Sequence, residues 1–160
     1  MPNYSDSTQE QLVHHWLGFR VDRALSILPK HGGVDDVTYF TVTGGKVLMT
    51  LLVGEVTTVM EAGANNITVT HTPTAGTAAA LCASEDLAAY AEGDILTIGG
   101  AIATKLLPAT TAGASAAMAY QGVVMTPGTI KFGADASKTG AWKWSLWYVP
   151  IDDGAYVVAN

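Results

Sequence analysis

The sequence predicts an all-β protein: a single β-sandwich or jelly-roll-like domain with an N-terminal helix or extended arm. Three observations predict it. The chain has 160 residues, which suits one domain. From residue 37 onward, short β-rich runs repeat, several of them alternating apolar with polar residues. Gly, Pro, Asn and Asp punctuate these runs at intervals of about 8–15 residues, as in sandwiches and barrels.

The composition indicates that part of the surface is covered by other chains. Apolar residues make up 49% of the sequence and charged residues only 14%, against the roughly 25% usual in soluble domains. Because monomers seldom expose large apolar patches, we expect neighbouring subunits to cover the excess. A compact monomer rich in Ala and Thr is the alternative interpretation.

The charge balance and the absence of long apolar runs exclude several classes of partner. The net charge is −6 and the few basic residues are scattered, so we expect no nucleic-acid partner. No run of about 18 apolar residues occurs, and the N-terminus lacks the pattern of a signal peptide. We therefore expect no membrane association.

The first 36 residues differ from the rest, so we divide the chain into an N-terminal helix or arm over 1–36 and a β-sandwich domain over 37–160. Ser7 and Glu10 form a capping-box pattern that predicts a helix over Thr8–Leu28. Apolar residues then recur at helical spacing: Leu17, Val21, Ala24 and Leu28. Against a helix, Gly18 lies inside the segment and Phe19–Asp22 alternates as a strand does, which favours an extended arm.

The next residues predict a β-hairpin. Val37–Val42 and Lys46–Val53 are β-rich, and Thr43-Gly44-Gly45 between them provides two glycines for a tight turn. The second run is apolar on both faces, which predicts a strand covered on both sides. Strict alternation places Val47, Met49, Leu51 and Val53 on one face, and Leu48 and Leu52 on the other.

The middle of the chain predicts three further strands, over Ile67–Thr70, Asp94–Ile98 and Ala101–Leu107. The first stops at Pro73, and the others are bounded by Gly93, Gly99-Gly100 and Pro108. Thr110–Ala119 consists of small residues without a periodicity, and we interpret it as a loop.

A long aromatic hairpin is predicted near the C-terminus. Gly128–Gly133 and Ala141–Val149 both alternate, with turn residues between them. An inward face is expected to close a core and comprises Ile130, Phe132, Trp142, Trp144, Leu146 and Tyr148. Trp147 projects to the opposite, polar face. Asp152-Asp153-Gly154 then turns the chain into a last strand, Ala155–Ala159.

The sequence contains no set of residues that indicates catalysis. His14 and His15 are adjacent and point apart, so they do not form the i, i+4 pair of metal sites, and His31 and His71 stand alone. Cys82 lies among apolar residues and is expected in the core. Three acidic doublets lie next to turns, where carboxylates cap backbone amides: Asp35-Asp36, Glu85-Asp86 and Asp152-Asp153. We therefore expect no enzyme, no metal and no cofactor.

Three stretches resemble small virion structural proteins of tailed bacteriophages. They are Phe40–Thr58, the loop Pro73–Thr77 and the C-terminal part from Pro127 to Gly154. The resemblance implies a β-rich fold, symmetric oligomers and no chemistry. It favours a capsid decoration, or cement, protein of the phage head, made in the cytoplasm of the bacterial host. Such a protein is expected to bind the major capsid protein and itself as a homotrimer.

The expected assembly surface combines the N-terminal segment, the doubly apolar strand and the outward tryptophan. Its candidate residues are Trp16, Phe19, Leu48, Leu52 and Trp147. Two alternatives for the function remain open. One is a component of the phage tail or baseplate, and the other is a carbohydrate-binding module, because β-sandwiches with tryptophan on one face serve that role.

Overall fold

A computed structural model of the chain describes residues 17–23, 37–98, 106–109, 122–136 and 138–160. This part contains twelve β-strands and no helix. In chain order the strands are β1 Phe19–Arg23, β2 Val37–Thr43, β3 Val47–Thr58, β4 Asn66–Pro73, β5 Ala79–Ala80, β6 Glu85–Asp86, β7 Ile95–Ile98, β8 Leu106–Ala109, β9 Val123–Met125, β10 Gly128–Ala134, β11 Ala141–Pro150 and β12 Tyr156–Ala159. The predicted all-β class is confirmed.

The strands form two antiparallel sheets that pack against each other as a β-sandwich. Sheet A has the order β1-β11-β3-β7-β8, and β9 pairs with β3. Sheet B has the order β12-β2-β10-β4-β5, and β6 pairs with β4. The chain passes from one sheet to the other at each of its first three connections between described strands. Neighbours in sequence are therefore mostly partners across the core.

Both predicted hairpins are wrong for this reason. β2 lies in sheet B and β3 in sheet A, and the same division separates β10 from β11. The turn between β2 and β3 does require glycine, because Gly44 and Gly45 both have positive φ. A Cβ atom on Gly45 would lie 2.6 Å from Cβ of Asp152, so the glycines let the turn after β11 pack against this corner. Two glycines predicted the turn but did not distinguish a hairpin from a sheet-to-sheet crossover.

Aromatic side chains fill the space between the sheets. Phe132 from sheet B lies 4.4 Å from Tyr39 and 4.5 Å from Trp144, measured between ring centroids. The indole N–H of Trp142 donates a 2.8 Å hydrogen bond to the Tyr39 hydroxyl, so these two buried polar groups are hydrogen-bonded to each other. Each aromatic contact of this kind contributes about 0.5–1.5 kcal/mol beyond burial of area. The predicted inward face of β11 is confirmed, because Trp142, Trp144, Leu146 and Tyr148 are all buried.

The N-terminal segment is extended where the structure describes it. The helix predicted over Thr8–Leu28 is wrong at residues 19–23, which form β1. Residues 8–16 and 24–28 of that predicted helix lie outside the described residues. β1 pairs with β11 at the edge of sheet A. Gly18 has a φ of 85°, and any Cβ there would collide with the Tyr148 carbonyl. At these residues the strand-like alternation of Phe19–Asp22 predicted the structure correctly, and the helix-capping pattern upstream did not.

Candidate protein-binding surface

The outer face of sheet A carries a row of exposed aliphatic side chains. Val149 of β11 lies opposite Leu48 of β3, and Leu48 lies opposite Val124 of β9. Val149 is 40% exposed and Val124 is 58% exposed, while Leu48 between them is partly buried. These three residues, called the aliphatic row below, place branched side chains next to each other across three strands.

Trp147 occupies the next outward position along β11, between β1 and β3. It lies opposite Arg20 on one side and Leu51 on the other. The Arg20 guanidinium carbon is 5.1 Å from the centroid of the Trp147 ring, a cation–π contact that covers part of the indole. Trp147 is therefore partly buried by β1 of its own chain and extends the aliphatic row towards a charged region.

That charged region is a hydrogen-bonded network between β1 and β11. Nε of Arg20 donates to Oδ1 of Asp22 at 2.7 Å, and Nη2 of Arg20 donates to the Ser145 hydroxyl at 3.2 Å. The Ser145 hydroxyl donates to the same Asp22 oxygen at 2.6 Å. Burial opposes ionisation of Asp22, but these hydrogen bonds and the charges of Arg20 and Lys143 lower the pKa of Asp22 below its usual value.

A surface depression of about 170 Å³ lies beside this network, and an ion pair closes the face at its far end. Nζ of Lys143 is 2.6 Å from a carboxylate oxygen of Glu55, which lies opposite it on β3. The outer face of sheet A thus changes along its strands, from an ion pair through the Arg20–Asp22–Ser145 network to Trp147 and the aliphatic row. Along β1, β11, β3 and β9, the aliphatic end presents apolar surface without a charged side chain beside it.

The structure brings two of the five predicted interface residues together on this face, Leu48 and Trp147. Phe19 lies at the sheet edge, 51% exposed, with its ring 5.8 Å from that of Tyr148. Trp16 lies outside the described residues.

Leu52 is a correction, because it is fully buried in the core of the chain. The pairing of β3 with β11 skips Thr50 through a β-bulge between Met49 and Leu51. One extra residue reverses the alternation, so Leu52 points inward although Leu48 points outward.

Two residues of the aliphatic row were missed by sequence reasoning. Val149 lies in a predicted strand, two residues after Trp147 and therefore on the same outward face, where only Trp147 was predicted to contribute. Val124 belongs to β9, which was not predicted at all. The signal was the short apolar run Val123-Val124-Met125 before Pro127, and the preceding Ala- and Thr-rich segment hid it.

The candidates for chemistry that the structure describes are engaged in structural contacts, whereas His14, His15, His31 and Asp35-Asp36 lie outside the described residues. Burial lowers the pKa of His71, although its Nε2 donates to the Thr126 carbonyl at 3.0 Å and this bond raises it. Cys82 is buried, and burial raises the pKa of its thiol, which disfavours the reactive thiolate. Asp86 accepts hydrogen bonds from the backbone amides of Asn65 and Ala88, as capping carboxylates do.

Within the residues that the structure describes, no group of three His, Cys, Asp or Glu side chains is arranged to hold a metal ion. The described residues also contain no helix that is long and apolar enough to cross a membrane.

Comparison with known proteins assigns the chain to no family, so its fold alone classifies it. No family model, no curated protein and no solved structure matches the chain. The architecture itself defines an antiparallel β-sandwich of two six-stranded sheets, one of which has an aliphatic row on its outer face.

Proposed function

We propose that this chain is a non-enzymatic structural subunit that binds other protein chains through the outer face of sheet A. The observation that carries the proposal is the aliphatic row, where Val149, Leu48 and Val124 lie side by side and the two valines remain substantially exposed. Large aliphatic side chains that share one patch are typical of sites that another protein covers.

The size of the row indicates how such an interface works. Fully burying one Val or Leu side chain contributes about 1.5–3 kcal/mol, and these residues are already partly buried. Covering the row therefore contributes roughly 2–3 kcal/mol, which is too little for tight binding of one isolated subunit. Trp147 and Arg20 beside it are of the residue types that most often anchor interfaces. A contact of this strength suits a repeated lattice, where many weak contacts act together.

The specific role we propose is capsid decoration on the head of a tailed bacteriophage. It rests on the resemblance of Phe40–Thr58, Pro73–Thr77 and Pro127–Gly154 to small virion proteins, and the sandwich fold and the aliphatic row are compatible with it. The partners are then the major capsid protein and further copies of the chain, as a homotrimer. The mechanism is mass action: a subunit that binds only the assembled lattice stabilises that lattice.

The test uses heads of a phage that encodes this chain, purified without it. Adding the wild-type protein should raise the temperature at which the heads release DNA. The double variant Val124→Lys/Val149→Lys should bind less and restore less heat resistance, because a charge cannot be covered by an apolar partner without cost. Val59→Lys is the matched control, since Val59 is an exposed valine outside the row. Unchanged heat resistance with wild-type protein would contradict the proposal.

The two alternative functions differ in their support. A tail or baseplate component would use the same kind of surface, and imaging of the native particle separates it from decoration. A carbohydrate-binding module needs an open aromatic ring on which a sugar can stack. The Arg20 guanidinium already lies over Trp147, which makes stacking on that ring less favourable.

A further inference from the structure

The edges of the two sheets differ in how they are protected against pairing with another chain. An edge strand presents unpaired backbone groups, and proteins protect such edges with charges, prolines or very short strands. In the described part of the chain, β1 carries Arg20, Asp22 and Arg23, and β8 contains Pro108. β5 and β6 have two residues each. These four edges therefore each have a protective feature.

The short strand β9 is protected as well. It has three residues, and Pro127 follows two positions after its end. The carbonyl of Thr126 accepts the hydrogen bond from His71, and the carbonyl of Pro127 accepts one from the amide of Thr74. The backbone beyond β9 is thus already paired within the chain.

β12 lacks each of these features, although β1 of sheet A contacts it in the same chain. Its four residues, Tyr156–Ala159, include no charge and no proline, and among the described strands it pairs only with β2. Val157 points into the core, while Tyr156 is 47% exposed and Val158 is 39% exposed on the outer face. We infer that β12 pairs edge to edge with β12 of a second copy of this chain, in antiparallel orientation about a two-fold axis.

The charge distribution favours a second copy as the partner. Chains with a net charge of −6 repel each other over most of their surface, but β12 itself is neutral. Asp153 lies exposed just before β12, and Arg23 lies at its far end, where Nε donates to the Asn160 carbonyl. Antiparallel pairing places the Asp153 end of each copy beside the Arg23 end of the other. Opposite charges then lie near each other at both ends of the contact, while the Arg23 guanidinium also stacks on the Tyr39 ring of its own chain, 3.9 Å from the ring centroid.

The alternation of side chains selects the register. Residues directly opposite each other in an antiparallel pair project to the same face, so core and outer faces of the two copies must coincide. Placing Val157 opposite Val157 of the second copy satisfies this condition. Tyr156 of each copy then lies opposite Val158 of the other copy. The contact therefore contains two pairs of an aromatic residue with a β-branched residue. Such pairs contribute about 0.2–1 kcal/mol each.

This contact is separate from the surface used in the proposed function. Four residues per copy bury far less than the roughly 1,200 Å² of a stable interface, so the pairing is transient in dilute solution and stronger between copies held close together. It joins two copies through sheet B about a two-fold axis, so it links chains of different homotrimers, whereas the aliphatic row of the proposed function belongs to sheet A. The two contacts can therefore be broken independently.

Disulfide trapping tests the register directly. Tyr156→Cys and Val158→Cys are prepared as separate full-length variants, mixed at equal concentration and oxidised mildly. Opposed positions allow a disulfide, so covalent dimers should accumulate in the mixture and not in either variant alone. Cys82 is buried and does not compete. A mixture of Val59→Cys with Val158→Cys measures random collision. Equal dimer yields in the two mixtures, or dimers from Val158→Cys alone, would overturn the inference.

A charge substitution separates this inference from the proposed function. Val158→Lys should abolish the reversible dimer seen by sedimentation equilibrium at high protein concentration, while Val59→Lys should leave it unchanged. The Val124→Lys/Val149→Lys variant should still pair through β12 even though its binding to heads is lost. If Val158→Lys leaves the dimer intact, β12 is not the pairing edge. Loss of the dimer in the aliphatic-row variant would equally contradict it.

Discussion

The two outer faces of the sandwich differ in their uncharged side chains. Sheet A presents the aliphatic row and Trp147, whereas sheet B presents threonines. Thr129 of β10 lies opposite Thr41 on one side and Thr72 on the other. Lys131 follows two residues later, between Thr38 and Thr70.

This difference refines what the low charge content means. Threonine is β-branched and favours strands, and its hydroxyl stays hydrated at a surface. The threonine-lined part of sheet B, formed by β2, β4 and β10, is therefore neutral without being apolar. Composition indicated that some surface is covered. Among the described residues, our two proposals assign that expectation to the aliphatic row of sheet A and to the edge strand β12.

Replacing the aliphatic row of sheet A with threonines, the residues that line sheet B, should produce the largest effect on binding. In the triple variant Leu48→Thr/Val124→Thr/Val149→Thr, strand propensity is retained but the apolar contact area is reduced. We expect binding to heads at least about tenfold weaker, or about 1.4 kcal/mol. The free energy of unfolding should fall by only about 1 kcal/mol, because the two valines are substantially exposed. Binding titrations and urea denaturation measure the two quantities.

The reverse exchange is the control for that prediction. Thr41→Val/Thr72→Val/Thr129→Val builds an aliphatic row on sheet B, and sedimentation velocity should detect new association that depends on protein concentration. If both triple variants behave like the wild type, the contrast between the faces has no consequence for binding.

The charged network on sheet A should produce a smaller effect on stability. Arg20→Ala removes its hydrogen bonds to Asp22 and Ser145 and uncovers the Trp147 ring. Since Arg20 is about half exposed, we expect a loss of roughly 0.5–1.5 kcal/mol in the free energy of unfolding. Lys131→Ala on sheet B is the matched control and should change it by less than about 0.5 kcal/mol. Equal losses in both variants would show that the network does not fix β1.

The smallest expected effect concerns how the free energy of unfolding depends on pH in the acidic range. The pKa of Asp22 is lower in the folded chain than its ordinary value. The folded state therefore binds fewer protons at this group than the unfolded state does. Its stabilisation is complete above about pH 4 and is lost as the pH falls through the lowered pKa. Asp22→Asn should flatten the fall in stability as the pH drops below about 4, measured by urea denaturation. An unchanged pH profile would exclude this contribution.

The fold class and the core face of β11 could be predicted because alternation is a local property. Trp142 and Trp144 alternate with polar or outward residues whichever strand lies beside them. Pairing is not local: Gly44-Gly45 makes the same tight turn in a hairpin as at a sandwich corner. In the folded chain this corner packs against Asp152, which is distant in sequence, and β2 and β3 lie in different sheets.

The site was predictable only where alternation held. Leu48 was placed outward correctly, and Leu52 was not, because the bulge at Thr50 leaves no mark in the sequence. Val124 was missed because a three-residue strand beside a run of small residues is too short to show a period. Its place in the aliphatic row depends on pairing with β3, which only the folded chain supplies.

The corner at Gly44 and Gly45 has a consequence for the order of events in the cell. β12 follows every other described strand in the chain, so the ribosome releases it after them. The turn of Asp152–Gly154 directs β12 onto β2 by packing against those two glycines. A nascent chain therefore has no β12 edge to offer until its first corner and its last turn have met. In the proposed pairing, a chain therefore joins a second copy through β12 only after this corner and this turn have packed together.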